Sequence, residues 1–150
     1  MQRFRQFINE SVSHMEDHDL QKTLHKIPKA HRELLGGYKF LTQGGNTLKN
    51  DSQHIGSNDM AKKCIVIAAP YNYGREFALL HEIGHLVWAK YVLPYAEKKK
   101  QWSAIVKKTK NKLHQNNEEL FSHAYANTYA KNQIVIHDHP EWDKFVKSLS

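Results

Sequence analysis

Phe77-Ala78-Leu79-Leu80-His81-Glu82-Ile83-Gly84-His85-Leu86-Val87-Trp88 is the stretch on which the reading of this chain turns. Its apolar period is helical, and the helical pattern extends outward from Gly74 to about Val92, with Pro94 closing it. At 3.6 residues per turn His81 and His85 stand one above the other on a single face, so two imidazole nitrogens can converge on one ion. Glu82 is rotated about 100° from His81. It therefore sits beside such an ion without binding it, where it can take a proton from an activated water. The other positions are strongly apolar, which predicts a buried helix. Two bare imidazoles and a carboxylate in a core are costly without partners, so burial favours a bound cation over a pair of core histidines. Gly84 costs a helix interior about 1 kcal/mol against Ala, which is understandable if a neighbouring backbone must come close.

A catalytic zinc takes three protein ligands and leaves the fourth position for water. Cys64 is the only cysteine, so neither an intramolecular disulfide nor a thiolate cluster can form, and the third ligand must be His or carboxylate. Downstream, Asn116-Asn117-Glu118-Glu119-Leu120-Phe121-Ser122-His123-Ala124-Tyr125-Ala126 opens on a capping pair and predicts a helix from Asn117 to about Lys131. Glu119, Ser122, His123, Ala126 and Ala130 share a polar, small face that suits close approach to a metal, while Leu120, Phe121, Ala124, Tyr125 and Thr128 make the packing face. Glu119 is the expected third ligand, with Glu118 and His123 as rivals. His14 and His18 are also four apart, but they lie in the polar, acidic run around Glu16 and Asp17 and read as surface residues. His137-Asp138-His139-Pro140 reads as a loop leading into the last helix.

Further out, Arg3 to about Ile27 has apolar residues at helical spacing and predicts two helical pieces breaking near Asp17. Pro28 opens a short helix that Gly36-Gly37 ends. Tyr38 to Thr42 reads as a strand, Gln43 to Met60 as a long loop or irregular hairpin, and Lys62 to Ala69, with Cys-Ile-Val-Ile inside it, as the strongest strand. Helices are expected over Tyr95 to about His114 and over Pro140 to Ser150. The fold class is α+β, a small N-terminal sheet ahead of a helical C-terminal half.

At 150 residues with 40% hydrophobic and 25% charged content, the chain has the size and composition of one globular domain. Its longest apolar run, Cys64 to Pro70, is far short of the roughly 18 residues of a membrane span, and the N-terminus lacks the apolar stretch of a signal peptide. No membrane partner and synthesis without Sec export are expected. The formal charge of +7 is local. Lys98, Lys99, Lys100, Lys107, Lys108, Lys110 and Lys112 face Glu97 alone, and without that group the chain holds 15 basic and 14 acidic residues. The Lys98–Lys112 segment is a candidate for nonspecific contact with nucleic acid, or simply a solvated helix face.

HEIGH at 81–85 followed by NNEELFSHAYA at 116–126 resembles the metallopeptidase domain of anthrax lethal factor and its short clostridial relatives, in which HExGH precedes a helix of the form NExEFFAEAF. The resemblance runs from about Ile27 to the C-terminus in element order. It implies a zincin-like fold over residues 11–150, Zn2+ held by His81, His85 and Glu119, Glu82 as the catalytic base, and hydrolysis of peptide bonds in a protein substrate. It also implies that the strand Lys63 to Ala69 offers an open edge to an extended substrate. Two positions depart from the family. Lys112 stands where a tyrosine steadies the oxyanion, and His123 replaces an acidic residue, which leaves the oxyanion donor open among His114, Tyr125 and a tyrosine from the Tyr71/Tyr73 loop.

MQRFRQFINES is similar to the short leaders of internal head proteins of large tailed phages, which are cut after Leu/Ile-x-Glu; here that predicts cleavage between Glu10 and Ser11. This resemblance implies a cleavable leader at 1–10, packaging in a capsid and delivery into host cytoplasm. It also frames the nonenzymatic alternative, an internal head or DNA-binding protein whose zinc site is structural or decayed.

Overall fold

Cys64-Ile65-Val66-Ile67 is the strand around which the sheet assembles. The computed structural model describes residues 12–15, 17–43, 56–67, 74–109, 116–130 and 139–150. The strands are β1 (Val12–His14), β2 (Lys39–Gln43), β3 (Gly56–Asp59) and β4 (Cys64–Ile67). The helices are α1 (Asp17–Leu24), α2 (Lys29–Glu33), α3 (Arg75–Val87), α4 (Ala96–Thr109), α5 (Asn117–Tyr129) and α6 (Pro140–Lys147), with a π-helical turn over Trp88–Val92 continuing α3. The architecture is mixed α+β, as expected. Among the described residues no helix is long and apolar enough to cross a membrane.

The sheet order is β1-β2-β4-β3, with β2 and β4 parallel and both outer strands antiparallel to their neighbours. Ile65 and Ile67 point into the core, while Cys64 and Val66 are half-buried. Two expectations need correcting and one open alternative is decided. Val12–His14 is a strand rather than helix, because it pairs with Leu41–Gln43 across β2, a long-range contact that overrides local spacing. Of the two alternatives for Gln43 to Met60, loop or irregular hairpin, Gly56–Asp59 takes the second: it is the arm of a hairpin whose turn is fixed where Asp59 Oδ1 accepts from the Lys62 amide at 3.0 Å. β4, expected to be the open edge, is hydrogen-bonded on both sides, so the edge next to α3 is β3. The expectations at 1–11, 110–115 and 131–138, which include the leader, lie outside the described residues.

α3 packs against β3 and β4 on one side and α5 on the other. The α3–α5 crossing centres on Gly84, where an added Cβ would lie 2.9 Å from Ser122 Cα and 3.1 Å from Tyr125 Cβ. That close approach accounts for a glycine in the middle of a buried helix. α4 and α6 close the other side of α5, with Trp102 fully buried against Phe121, Trp142 and Phe145 at ring separations of 5.3–5.6 Å. α5 is thus buried on most of its circumference, with Leu120, Phe121, Ser122, Ala124, Tyr125 and Ala126 all inside.

A second buried polar group ties this core to the C-terminus. His31 Nε2–H donates to the Leu149 carbonyl at 3.1 Å, which leaves Nδ1 to accept the Tyr125 hydroxyl at 2.9 Å. Burial holds His31 below its ordinary value of 6.5, with the Leu149 bond acting the other way. Its stabilising contribution is therefore complete above about pH 6.5 and is lost as pH falls below that. Tyr125→Phe strands a buried acceptor at Nδ1, with an expected cost of about 1–3 kcal/mol at pH 7.5. The measurement is urea unfolding, where the midpoint should drop with the slope unchanged.

Candidate metal centre

The site begins with helix spacing. His81 and His85 occupy successive turns of α3, their rings edge to face with centroids 5.1 Å apart. His81 and Glu82 are both buried, at 6% and 5% exposure, and His85 is half-buried. The opposing residue comes from the first turn of α5, which two contacts hold in place. The Asn116 side chain caps the helix by accepting from the Glu119 amide at 2.8 Å, and Trp102 Nε1 donates to the Asn117 carbonyl at 2.8 Å. Glu119 is thereby presented to both imidazoles, Oε2 lying 3.2 Å from His81 Nε2 and Oε1 3.1 Å from His85 Nε2.

One donor atom each from His81, His85 and Glu119 lies within 4.8 Å of the others. Among the described residues neither ring nitrogen of buried His81 has an aligned hydrogen-bond partner, despite the 3.2 Å approach of Glu119. Charge-assisted hydrogen bonds close to roughly 2.7–2.9 Å, whereas donors around a tetrahedral ion at about 2.0–2.2 Å stand roughly 3.3–3.6 Å from one another. The 3.1 and 3.2 Å approaches fall between these two ranges, and it is the orphaned nitrogens of His81 that favour an ion between the three side chains over a direct ion pair.

The same side chains act on one another's charges. Burial opposes charge on His81, but the carboxylates of Glu119 and Glu82 outweigh it and lift its pKa to about 9. His85 is raised by the same balance of burial against Glu119, with His81 repelling its charge. The two imidazoles hold Glu119 well below the usual carboxylate range, against the opposing effect of burial. An arriving cation meets a charged carboxylate and has only protons on nitrogen to displace.

Glu82 stands outside the ligand cluster, its Oε1 3.6 Å from His81 Nδ1. The wall behind it is β3. A Cβ on Gly56 would lie 3.2 Å from Glu82 Cγ and 3.0 Å from the Val66 carbonyl, and Asn58 Nδ2 donates to the Glu82 carbonyl at 3.3 Å. Glycine at position 56 lets the edge strand lie against the carboxylate arm.

The structure thus brings together His81, Glu82, His85 and Glu119. Glu118 is beside His85 Nδ1 at 3.3 Å and not among the converging donors. His123 sets its ring edge-on against His81 at 4.8 Å and near Phe77 at 6.0 Å, also outside the donor group. The Tyr125 hydroxyl is committed to His31, which removes it as an oxyanion donor; His114, Tyr71 and Tyr73 lie outside the described residues. His14 is exposed in β1 while α1 begins only at Asp17, so His14 and His18 share no helical turn. His139 precedes α6 and packs on Trp142 at 5.0 Å, and its neighbours His137 and Asp138 lie outside the described residues. On α4, Lys99, Lys100 and Lys107 are exposed, and Lys108 reaches Glu141 at 2.9 Å. The roles of Gly56 and Asn58 escaped sequence reading, since Gly-Ser-Asn-Asp carries no apolar alternation. No family model, curated protein or solved structure matches this chain.

Proposed function

We propose that the chain is a zinc-dependent metalloendopeptidase of zincin type, akin to the lethal factor catalytic domain it resembles in its HEIGH and NNEELFSHAYA segments. The observation that carries the reading is the convergence of two α3 imidazoles and the Glu119 carboxylate within 4.8 Å, with the buried Glu82 alongside. His81, His85 and Glu119 would hold zinc. Zinc supplies Lewis acidity there, polarising a carbonyl and acidifying a water.

The chain's own residues do the rest. Glu82 takes the proton from the attacking water and delivers it to the leaving amine, so one carboxylate serves first as base and then as acid. Among the described residues β3 has a neighbour on one side only, and an extended peptide adding to its other edge by main-chain hydrogen bonds would run past Glu82. The leader resemblance in residues 1–11, outside the described part, makes packaging in a phage head the proposed setting.

The test is Glu82→Gln. The variant should keep one zinc per chain while hydrolysis of a peptide library falls by about 10²–10⁴-fold. Chelator should stop the wild-type protein and added zinc restore it. A Gln variant that cleaves at the wild-type rate ends this assignment. The exposed lysines of α4 favour one other reading, a nonenzymatic DNA-binding protein. Its signature is DNA binding that weakens steeply with salt and ignores Glu82→Gln.

A further inference from the structure

The ligand set leaves one acidic side chain of α5 unexplained. Glu118 Oε2 lies 3.3 Å from His85 Nδ1, across the ring from Nε2, which faces Glu119 Oε1 at 3.1 Å. Consecutive helical residues point about 100° apart, so Glu118 and Glu119 straddle a single imidazole. We propose that Glu118 is a positioning residue: by accepting Nδ1–H it fixes the His85 tautomer and ring orientation that aim Nε2 at the metal. The inference rests on the zinc reading of the same site.

Such a partner is usual for a metal-ligating histidine. A histidine ligating through Nε2 carries its proton on Nδ1, and an acceptor there sets the ring plane and makes the ligating nitrogen more basic. Three features suit Glu118 to this role. The Asn116 cap and the Trp102–Asn117 hydrogen bond pin the helical turn that carries it. Its side chain is 41% exposed, so it can accept a hydrogen bond without a charge being buried. Among the described residues His81 has no equivalent, for its Nδ1 is 3.6 Å from Glu82 Oε1 and lacks an aligned partner, which leaves Glu82 free for proton transfer. The competing role is charge complementarity with the α5 dipole, which also favours acids in a first turn. That role predicts a change in folding stability and none in zinc affinity.

The experiment is competition for zinc between the full chain and a chromophoric chelator, with Glu118→Ala, Glu118→Gln and Glu119→Ala side by side. Glu118→Ala should weaken zinc binding about 10–100-fold. Glu118→Gln, whose amide oxygen still accepts Nδ1–H, should recover most of that loss. Unfolding of the chelator-treated Ala and Gln variants should be alike. The proposal is overturned if Glu118→Ala binds zinc like wild type, or if Gln binds as weakly as Ala. It is equally overturned if Glu118→Ala loses zinc as completely as Glu119→Ala, which would make Glu118 a ligand. Failure of the underlying reading has a different signature, namely Glu119→Ala retaining its zinc whatever the Glu118 variants do.

Discussion

Glu119→Ala should take zinc from one per purified chain to none, and hydrolysis should go with it. The carboxylate places one oxygen 3.1 Å and the other 3.2 Å from the two imidazoles, so its removal deletes the anionic member of the donor group. Two neutral imidazoles on one helix remain, and the affinity loss should exceed the roughly 10–100-fold that a supporting partner commands. On the proposed reading, zinc at a thousand times its Kd should stabilise the folded wild type by about 4 kcal/mol, and the variant should show no such zinc-dependent rise in Tm. Chelator-treated proteins provide a second readout. The raised His81 pKa stabilises the fold fully below about pH 6.5, and that contribution disappears as pH rises through about 9. Removing Glu119 lowers the His81 pKa and flattens this part of the profile, which an NMR titration of the histidines would follow. Full occupancy in Glu119→Ala, with loss in His123→Ala instead, would reassign the ligand.

The donor face was legible because everything on α3 is local. His81, Glu82 and His85 are placed by helical periodicity alone, and Glu119 follows from the face it shares with Ser122 and Ala126. What sequence could not supply depends on partners far along the chain. Val12 fits a helical spacing until β2 pairs with it. Ile65 and Ile67 mark a buried strand but carry no sign of whether it lies at an edge, and the strand that does lie there, Gly56–Asp59, is polar because its inward positions are a glycine against Glu82 and an asparagine on the α3 backbone. The π-helical turn after Val87, closed by the Leu93 amide on the Trp88 carbonyl at 2.8 Å, leaves no trace in a pattern that reads as ordinary helix. Glu118, read from the sequence as a rival ligand, has its place against His85 Nδ1 hidden for another reason. Paired acids at a helix N-terminus are already explained by capping and the dipole, and only the α3–α5 crossing sets one of them against His85.

Gly84→Ala tests that crossing. Helix propensity alone favours the alanine by about 1 kcal/mol. Packing opposes it, because the new Cβ would stand 2.9 Å from Ser122 Cα and 3.1 Å from Tyr125 Cβ, both closer than ordinary carbon contacts. Ser122 Cα is backbone inside a helix buried on most sides, so no rotamer change relieves the contact and α5 must move as a body. Overpacking of this kind costs about 1–3 kcal/mol, enough to cancel the propensity gain and leave the chelator-treated variant no more stable than wild type. Zinc should report the larger effect. Glu119 lies three residues before Ser122 on the displaced helix, so a shift of α5 pulls its carboxylate off the imidazoles, whereas His81 and His85 stay with α3. Weakened zinc binding with little change in unfolding midpoint is the expected combination, measured by chelator competition and urea titration on the same preparations. Trimming the facing side chain with Ser122→Gly relieves only the 3.3 Å contact to Ser122 Cβ and leaves the backbone clash, so the double variant should recover zinc affinity in part. An alanine variant that gains stability and binds zinc as wild type does would mean that α5 tolerates displacement here, and that Gly84 is not what sets the distance between the two ligand helices.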